Sequence, residues 1–120
     1  MIKSWEDLDV WKKAHQLTLR ICQLTKEFPR EERYRLIDQL CRASASISTN
    51  IVEGKSRASI KEYIKFLSIA KGSTEEAKYL ILLSKDLSYI DSKTYERLTQ
   101  EYEEISKMLN GLIRSLRRKT

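Results

Sequence analysis

Residues that break helices, form disulfide frameworks or bind zinc are scarce in this sequence. Its 120 residues include three glycines and one proline. An all-β domain needs turn residues at short intervals, and a disordered chain is usually rich in proline and glycine, so this composition excludes both classes. Two cysteines and one histidine are too few for a disulfide-stabilised miniprotein or a zinc module.

Long apolar runs are also missing. The longest is Leu80–Leu83, far below the roughly eighteen apolar residues of a membrane-spanning helix. The first seven residues lack the apolar segment of a signal peptide. We therefore expect a cytoplasmic protein that does not enter a membrane. Cys22 and Cys41 are expected to be reduced, and their positions inside helical patterns predict small buried side chains.

The apolar residues that are present recur at the three- and four-residue spacing of an α-helix. The pattern covers four segments, at about 7–27, 31–53, 60–88 and 92–117. Pro29 ends the first segment, and Gly54 is expected just past the second, in a left-handed conformation. Ser59 and Asp91 are suitable N-caps for the last two. Short connections favour antiparallel neighbours, so we predict an all-α fold, a single up-down-up-down four-helix bundle over residues 1–120.

Further details of these helices can be predicted. Glu31 and Glu32 are expected as solvated charges in the first turn of the second helix, where the helix dipole favours them. Gly72 lies inside the third helix at a cost of roughly 1 kcal/mol relative to alanine. Two explanations for this glycine remain open. Either another helix approaches closely at this position, or the third helix is kinked or broken there. The fourth helix carries a heptad pattern over Tyr95, Leu98, Tyr102, Ile105, Leu109, Leu112 and Leu116.

Residues 43–52 contain no charged side chain, although 33% of the chain is charged. One face of this helix, with Ser44, Ile47 and Ile51, is predicted to line the core. The opposite stripe is polar and mostly uncharged, and it is either an exposed surface with no role or a surface covered by a second molecule. We favour the second interpretation, because Leu80–Leu83 surround most of the third helix and one core-facing side cannot hide them all. The predicted homo-oligomer interface is Gln39, Arg42, Ser46, Asn50 and Glu53.

Several short motifs are shared with a known bacterial family. They include Leu8–Trp11 and Phe28-Pro29, and the most specific is the run from Arg42 to Gly54, within a match over roughly residues 5–90. On these motifs the chain resembles the four-helix bundle family of 23S ribosomal RNA intervening-sequence proteins. Ser48-Thr49 stands where the family usually has a proline, and Val52 where alanine is usual. The missing proline should make the second helix straighter.

The resemblance implies a left-handed bundle that assembles into a ring, typically a homopentamer. Some family members are encoded within insertions in ribosomal RNA genes. A related group consists of accessory proteins of diversity-generating retroelements, which bind a reverse transcriptase and RNA. The family has no established catalytic residues to place on this sequence, so the resemblance implies partners rather than a reaction.

No arrangement of residues typical of an enzyme or a cofactor site is present. His15 has no second histidine near it, and Glu103-Glu104 point to different faces of a helix. A di-metal bundle needs Glu-x-x-His motifs on facing helices. The sequence has none of these, and it also lacks a glycine-rich phosphate loop, a G-x-S-x-G motif and a C-x-x-C motif. We expect a protein that is not an enzyme and that holds no cofactor or metal.

Positive charge is the remaining functional signal, with a formal net charge of +6. Two basic clusters contain the predicted nucleic-acid-binding residues, Lys55, Arg57, Lys61 and Lys65, then Arg114, Arg117, Arg118 and Lys119. Contacts of such residues with phosphates are independent of sequence and sensitive to salt. We predict a homo-oligomeric module that binds RNA or DNA, with a reverse transcriptase or another protein as a further candidate partner. The alternative is a protein–protein scaffold in which the charge serves only solubility.

Overall fold

The computed structural model of this protein describes residues 4–120, most of which are helical. The α-helices are α1 (Asp9–Leu24), α2 (Leu36–Lys55), α3 (Ile60–Asp86) and α4 (Ser92–Arg117). Single 3₁₀ turns cover Trp5–Asp7, Thr25–Glu27 and Arg30–Glu32. The expectation about a signal peptide partly concerns residues 1–3, which lie outside the described residues.

The helices run along the long axis of a molecule that measures 47 × 24 × 21 Å. At about 1.5 Å per residue, α3 spans about 40 Å, which is most of that length. α2 packs against α1 and α3, and α3 packs against α4. Since short connections join these neighbours, successive helices run in opposite directions. The predicted all-α up-down-up-down bundle is confirmed.

This topology divides the connections between the two ends of the bundle. The N-terminal turn, the α2–α3 connection and the C-terminus lie at one end. The α1–α2 and α3–α4 connections lie at the other. Within residues 4–120, no helix is both long enough and apolar enough to cross a membrane.

The connection between α1 and α2 is longer than predicted, because α2 begins at Leu36 rather than near residue 31. Pro29 and the non-helical Arg35, with φ −123° and ψ −103°, flank a separate 3₁₀ turn. Glu32 in this turn is 6% exposed, and its carboxylate accepts a 2.7 Å hydrogen bond from the Tyr89 hydroxyl. This hydrogen bond is the main cause of the raised pKa of Tyr89. The prediction that Glu32 is a solvated charge in the first turn of α2 is therefore wrong. Its carboxylate links the α1–α2 connection to the α3–α4 connection at one end of the bundle.

Both N-caps predicted from the sequence are confirmed. Ser59 Oγ accepts a 3.1 Å hydrogen bond from the Glu62 amide at the start of α3. Asp91 Oδ1 accepts a 2.8 Å hydrogen bond from the Thr94 amide at the start of α4, and the interaction with Thr94 lowers the pKa of Asp91. These side chains satisfy amides that have no partner within the first turn of a helix. As a result, α3 and α4 begin where the sequence predicts.

Gly54 has a different role from the predicted one. It lies inside α2 and its φ is not positive, so a left-handed position past the helix end does not explain the glycine. A Cβ at this position would lie 3.0 Å from the Cβ of Phe66 and 3.2 Å from the carbonyl oxygen of Tyr63. The missing side chain therefore lets α2 approach α3 closely. At Gly72, by contrast, α3 continues unbroken, and a Cβ would have no neighbour within 4 Å in the described chain.

The core is formed by apolar stripes from all four helices, and the stripe on α4 departs from the predicted heptad. Its buried residues are Leu98, Tyr102, Ile105, Leu109, Ile113 and Leu116. Tyr95 and Leu112 of the predicted heptad are only half-buried, although they pack against the core. Ile113 takes the core position because a straight α-helix drifts away from a seven-residue repeat.

Two burial predictions are also wrong. Cys22 is exposed and Cys41 is half-buried, because both line a surface cavity beside the α1–α2 connection. All four residues of Leu80–Leu83 are buried or half-buried within the one chain. α3 packs against both α2 and α4, so its own neighbours hide side chains that the sequence pattern assigns to a contact with a second molecule.

Ser44 occupies the predicted core face of α2 and is fully buried. Its hydroxyl is hydrogen-bonded to the hydroxyl of Tyr102 on α4. Its carbonyl oxygen accepts a 3.2 Å hydrogen bond from Thr18 Oγ1 on α1. Burial raises the pKa of Tyr102 well above its usual value, so this hydroxyl stays protonated. Three helices therefore meet at one polar junction inside the core.

Alanine substitutions at two glycines should change stability in opposite directions. Gly54→Ala places a methyl group against the backbone of α3 and should lower the free energy of unfolding by about 1–3 kcal/mol. Gly72→Ala removes the entropic cost of a helical glycine without a clash and should raise it by about 0.5–1 kcal/mol. Urea unfolding followed by circular dichroism measures both changes. A Gly54→Ala chain as stable as the wild type would contradict the close approach of α2 and α3.

Removing one hydroxyl of the Ser44–Tyr102 pair leaves the other buried without its partner. Ser44→Ala and Tyr102→Phe should each lower the free energy of unfolding by about 1–3 kcal/mol. The double variant removes both polar groups and should cost clearly less than the sum of the two single changes. A double-mutant cycle by urea unfolding measures this coupling, and strict additivity would show that the two hydroxyls do not interact.

Candidate nucleic-acid interface

The antiparallel topology brings the two predicted basic clusters to the same end of the bundle. One cluster covers the α2–α3 connection and the first turns of α3, and the other covers the last turn of α4 and the C-terminus. α3 and α4 pack against each other, so the start of α3 lies beside the end of α4. We call this region the basic end, and its predicted binding residues are Lys55, Arg57, Lys61, Lys65, Arg114, Arg117, Arg118 and Lys119.

Most cations of the basic end are exposed and have no paired carboxylate. Lys55 is half-buried and the other seven are exposed. Arg57 forms a 3.0 Å ion pair with Glu53, whereas none of the other seven is paired with a carboxylate in residues 4–120. The acidic side chains of this end are fewer than its cations, namely Glu6, Asp7, Asp9, Glu53 and Glu62. The result is a surplus of positive charge at this end.

Two aromatic rings of α3 lie beneath cations at the basic end. The guanidinium of Arg57 lies 4.6 Å from the ring centroid of Phe66, and the ammonium of Lys55 lies 5.9 Å from that of Tyr63. Such contacts hold cations against a helix surface. The basic end therefore presents positive charge at its surface, while these two rings are engaged within the chain.

An aromatic stack that the sequence pattern does not predict lies at the start of α1. The rings of Trp5 and Trp11 meet edge to face at 4.8 Å, and Trp11 stacks on His15 at 5.0 Å with an interplanar angle of 6°. All three side chains are half-buried. The four-residue spacing of Trp11 and His15 is a usable sequence signal. The contact with Trp5 has no such signal, because it depends on how the preceding 3₁₀ turn meets α1.

The centre of the predicted oligomer stripe on α2 is hydrogen-bonded within the chain. Ser46 Oγ lies 2.9 Å from Ser73 Oγ of α3. Asn50 Nδ2 donates to the carbonyl oxygen of Ser46 at 2.8 Å and to its hydroxyl at 3.0 Å. In the charge-free stretch 43–52, only Ala45 and Thr49 are exposed. Packing against neighbouring helices thus explains much of the missing charge.

The rest of the stripe lies on the surface beside a groove between α2 and α3. Arg42 is exposed and forms a 3.4 Å ion pair with Asp38. Gln39 and Glu53 are also exposed. The groove is lined by Gln39, Arg42, Ala43, Ser46 and Glu76. Its polar side chains can contact a second molecule, and the role of the stripe as an oligomer interface stays a prediction.

The fold and the site together define the class of protein, which is a short antiparallel four-helix bundle with a basic end. In the part of the chain that the structure describes, no group of three or more His, Cys, Asp or Glu side chains is placed to bind a metal ion. Residues 6–111 match the family model described as 23S rRNA-intervening sequence protein. The chain therefore belongs to that family, and the resemblance seen in the sequence is confirmed.

One solved structure has the same fold and a related sequence. It is the crystal structure of a protein of unknown function from the S23 ribosomal protein family of Bacteroides thetaiotaomicron. The similarity covers 87% of this chain and 97% of that chain, with a TM-score of 0.80 and 30% sequence identity. No curated protein matches the chain significantly. Neither the family description nor that of the crystal structure names an enzymatic activity.

Proposed function

We propose that this protein is a non-enzymatic, homo-oligomeric helical bundle that binds RNA or DNA through phosphate groups, as an accessory module of a cytoplasmic ribonucleoprotein. The observation that carries the proposal is the convergence of two basic clusters, distant in the sequence, on one end of the bundle. Their cations are mostly exposed and lack carboxylate partners in residues 4–120. A positively charged surface of this kind attracts a polyanion without requiring one fixed direction of approach.

Cations without ion pairs can bind phosphates without breaking existing contacts. Lys61 and Lys65 lie one turn apart on α3, and Arg114 and Arg117 lie near the end of the adjacent α4. Each phosphate that these residues neutralise releases counterions, which drives binding and weakens it as the salt concentration rises. Arg57 contributes less, because its guanidinium is already held within the chain.

The exposed face of α3 supports self-association. Ile69 and Tyr79 are 44% and 60% exposed, and they share one helix face with Gly72 and Glu76. The missing side chain of Gly72 leaves open space at this surface. Exposed apolar side chains of this kind are typical of interfaces. In a ring of about five copies, as the resemblance implies, the charge of +6 per chain adds up across the assembly.

Nucleic-acid binding is tested with a structured RNA and the intact chain, by fluorescence anisotropy at about 50 and about 200 mM salt. The affinity should fall steeply as the salt concentration rises. Arg114→Gln/Arg117→Gln should weaken binding and reduce the slope of log K against log salt by roughly 1–2. The matched control is Lys93→Gln/Arg97→Gln, which removes the same charge from the opposite end of α4 and should leave the affinity nearly unchanged.

Two outcomes of this titration would contradict the proposal. Equal losses in both double variants would mean that net charge alone drives binding and that the basic end is not the site. No binding at about 50 mM salt would exclude the nucleic-acid role. The alternative would then stand, a protein–protein scaffold whose charge serves solubility.

Self-association is tested by sedimentation at micromolar concentration. The wild-type chain should sediment as an oligomer, and Ile69→Glu should shift it toward the monomer because it places a charge in the proposed contact. Leu19→Glu is the matched control, since Leu19 is an apolar side chain that is 51% exposed on α1. A wild-type chain that stays monomeric would contradict self-association. An oligomer that Ile69→Glu leaves intact would contradict this placement of the interface.

A further inference from the structure

Two cysteines from different helices meet beside the α1–α2 connection, at the end opposite the basic end. Cys22 is exposed on the last turn of α1, and Cys41 is half-buried near the start of α2. Both side chains line one surface cavity of about 390 Å³.

Thr25 connects the backbone of Cys22 with the thiol of Cys41. Its side chain is 2% exposed, and its Oγ1 lies 3.3 Å from the carbonyl oxygen of Cys22 and 3.6 Å from Cys41 Sγ. Partial burial is the largest cause of the raised pKa of Cys22, and the charge and hydrogen-bond interactions with Cys41 are the next largest. Cys22 and Cys41 therefore share one cavity and one neighbouring side chain, that of Thr25, and we call them the thiol pair.

Three cations line the same cavity as the thiol pair. They are Lys26, Arg30 and Arg33, and none forms an ion pair with a carboxylate in residues 4–120. The buried carboxylate of this connection, Glu32, is engaged by the hydroxyl of Tyr89. A cavity with these properties favours a small molecule that carries carboxylates and reacts with thiols.

We propose that this cavity binds a small acidic disulfide of the glutathione disulfide type, which exchanges with Cys22 and Cys41 to close a disulfide between α1 and α2. The thiol pair performs the chemistry, and the three cations select a substrate with carboxylates. Cys22 reacts first because it is the exposed thiol. Cys41 acts second, because it is half-buried and lines the same cavity as Cys22.

The exchange takes place in two balanced steps. In the first, the Cys22 thiol loses its proton to water, and the thiolate attacks one sulfur of the small disulfide. One small thiolate leaves and is protonated. In the second, the Cys41 thiol loses its proton to water, and its thiolate attacks the Cys22 sulfur of the mixed disulfide. The second small thiolate leaves and is protonated. The protein loses two electrons and two protons, and the small disulfide gains them as two thiols.

The test uses the full chain, first reduced and then freed of reductant, with glutathione disulfide or the cationic disulfide cystamine. Intact-mass and non-reducing peptide analysis should show the loss of two hydrogens and one peptide that links Cys22 to Cys41. Two stable adducts without an internal disulfide, or links only between chains, would overturn the proposal. In both cases the thiols would be reacting independently.

Charge selectivity is measured as the ratio of the rates with glutathione disulfide and cystamine. This ratio should fall roughly tenfold in Lys26→Gln/Arg30→Gln/Arg33→Gln at low salt. Lys12→Gln/Lys71→Gln/Lys107→Gln removes the same number of charges away from this end of the bundle; it is the control for net charge and should leave the ratio nearly unchanged. An equal ratio in the wild type and the triple variant would overturn the assignment of an acidic substrate.

Single-cysteine variants separate the roles of the two thiols. Cys41→Ser should stop at one glutathionyl adduct on Cys22, whereas Cys22→Ser should react roughly tenfold more slowly because the remaining thiol is less exposed. Phenylarsine oxide bridges two thiols only when they are close together. In excess monothiol it should bind the wild-type chain in a one-to-one ratio and neither single variant. A wild-type chain that does not bind phenylarsine oxide would show that the two thiols are not close together, which would overturn the proposal.

Discussion

The close contact between α2 and α3 at Gly54 is the constraint on which the rest of the fold depends. No side chain separates the two helices there, so the chain can reverse between Lys55 and Ile60. α3 then returns antiparallel to α2, and α4 runs antiparallel to α3. This reversal places Lys61 and Lys65 at the same end as the C-terminus of α4. The basic end is therefore a consequence of the antiparallel order of the helices, which this close contact permits.

Buried polar contacts attach the remaining parts of the chain to this helical hairpin. Ser44 and Tyr102 connect α2 with α4 inside the core, and Glu32 and Tyr89 connect the two loops at the opposite end. Such groups are costly without their partners and rigidify the structure when every partner is in place. The bundle thus has two chemically distinct ends. One presents exposed cations, and the other presents the thiol pair in a cavity lined by three cations.

Features governed by neighbours in the sequence could be predicted well. Ser59 and Asp91 are confirmed as N-caps because a cap binds an amide only three residues away. The predicted start of α2 is wrong because Glu32 belongs to a separate turn. The hydrogen-bond partner of Glu32 in that turn, Tyr89, lies 57 residues away in the sequence. The interpretation of Leu80–Leu83 is wrong because periodicity does not show how many helices cover a face. The basic clusters could be found in the sequence, but their meeting at one end depends on the topology.

By itself the sequence determined the all-α class, the number of helices and the core face of α2 around Ser44. Helix formation, capping and amphipathic periodicity act over one or two turns, so their signals are local. Only the tertiary structure decided that Gly54 is required by packing against α3, that Cys22 and Cys41 line one cavity, and that the two basic clusters share one end. These features depend on distances between residues far apart in the chain, and such distances are set by the packing of whole helices.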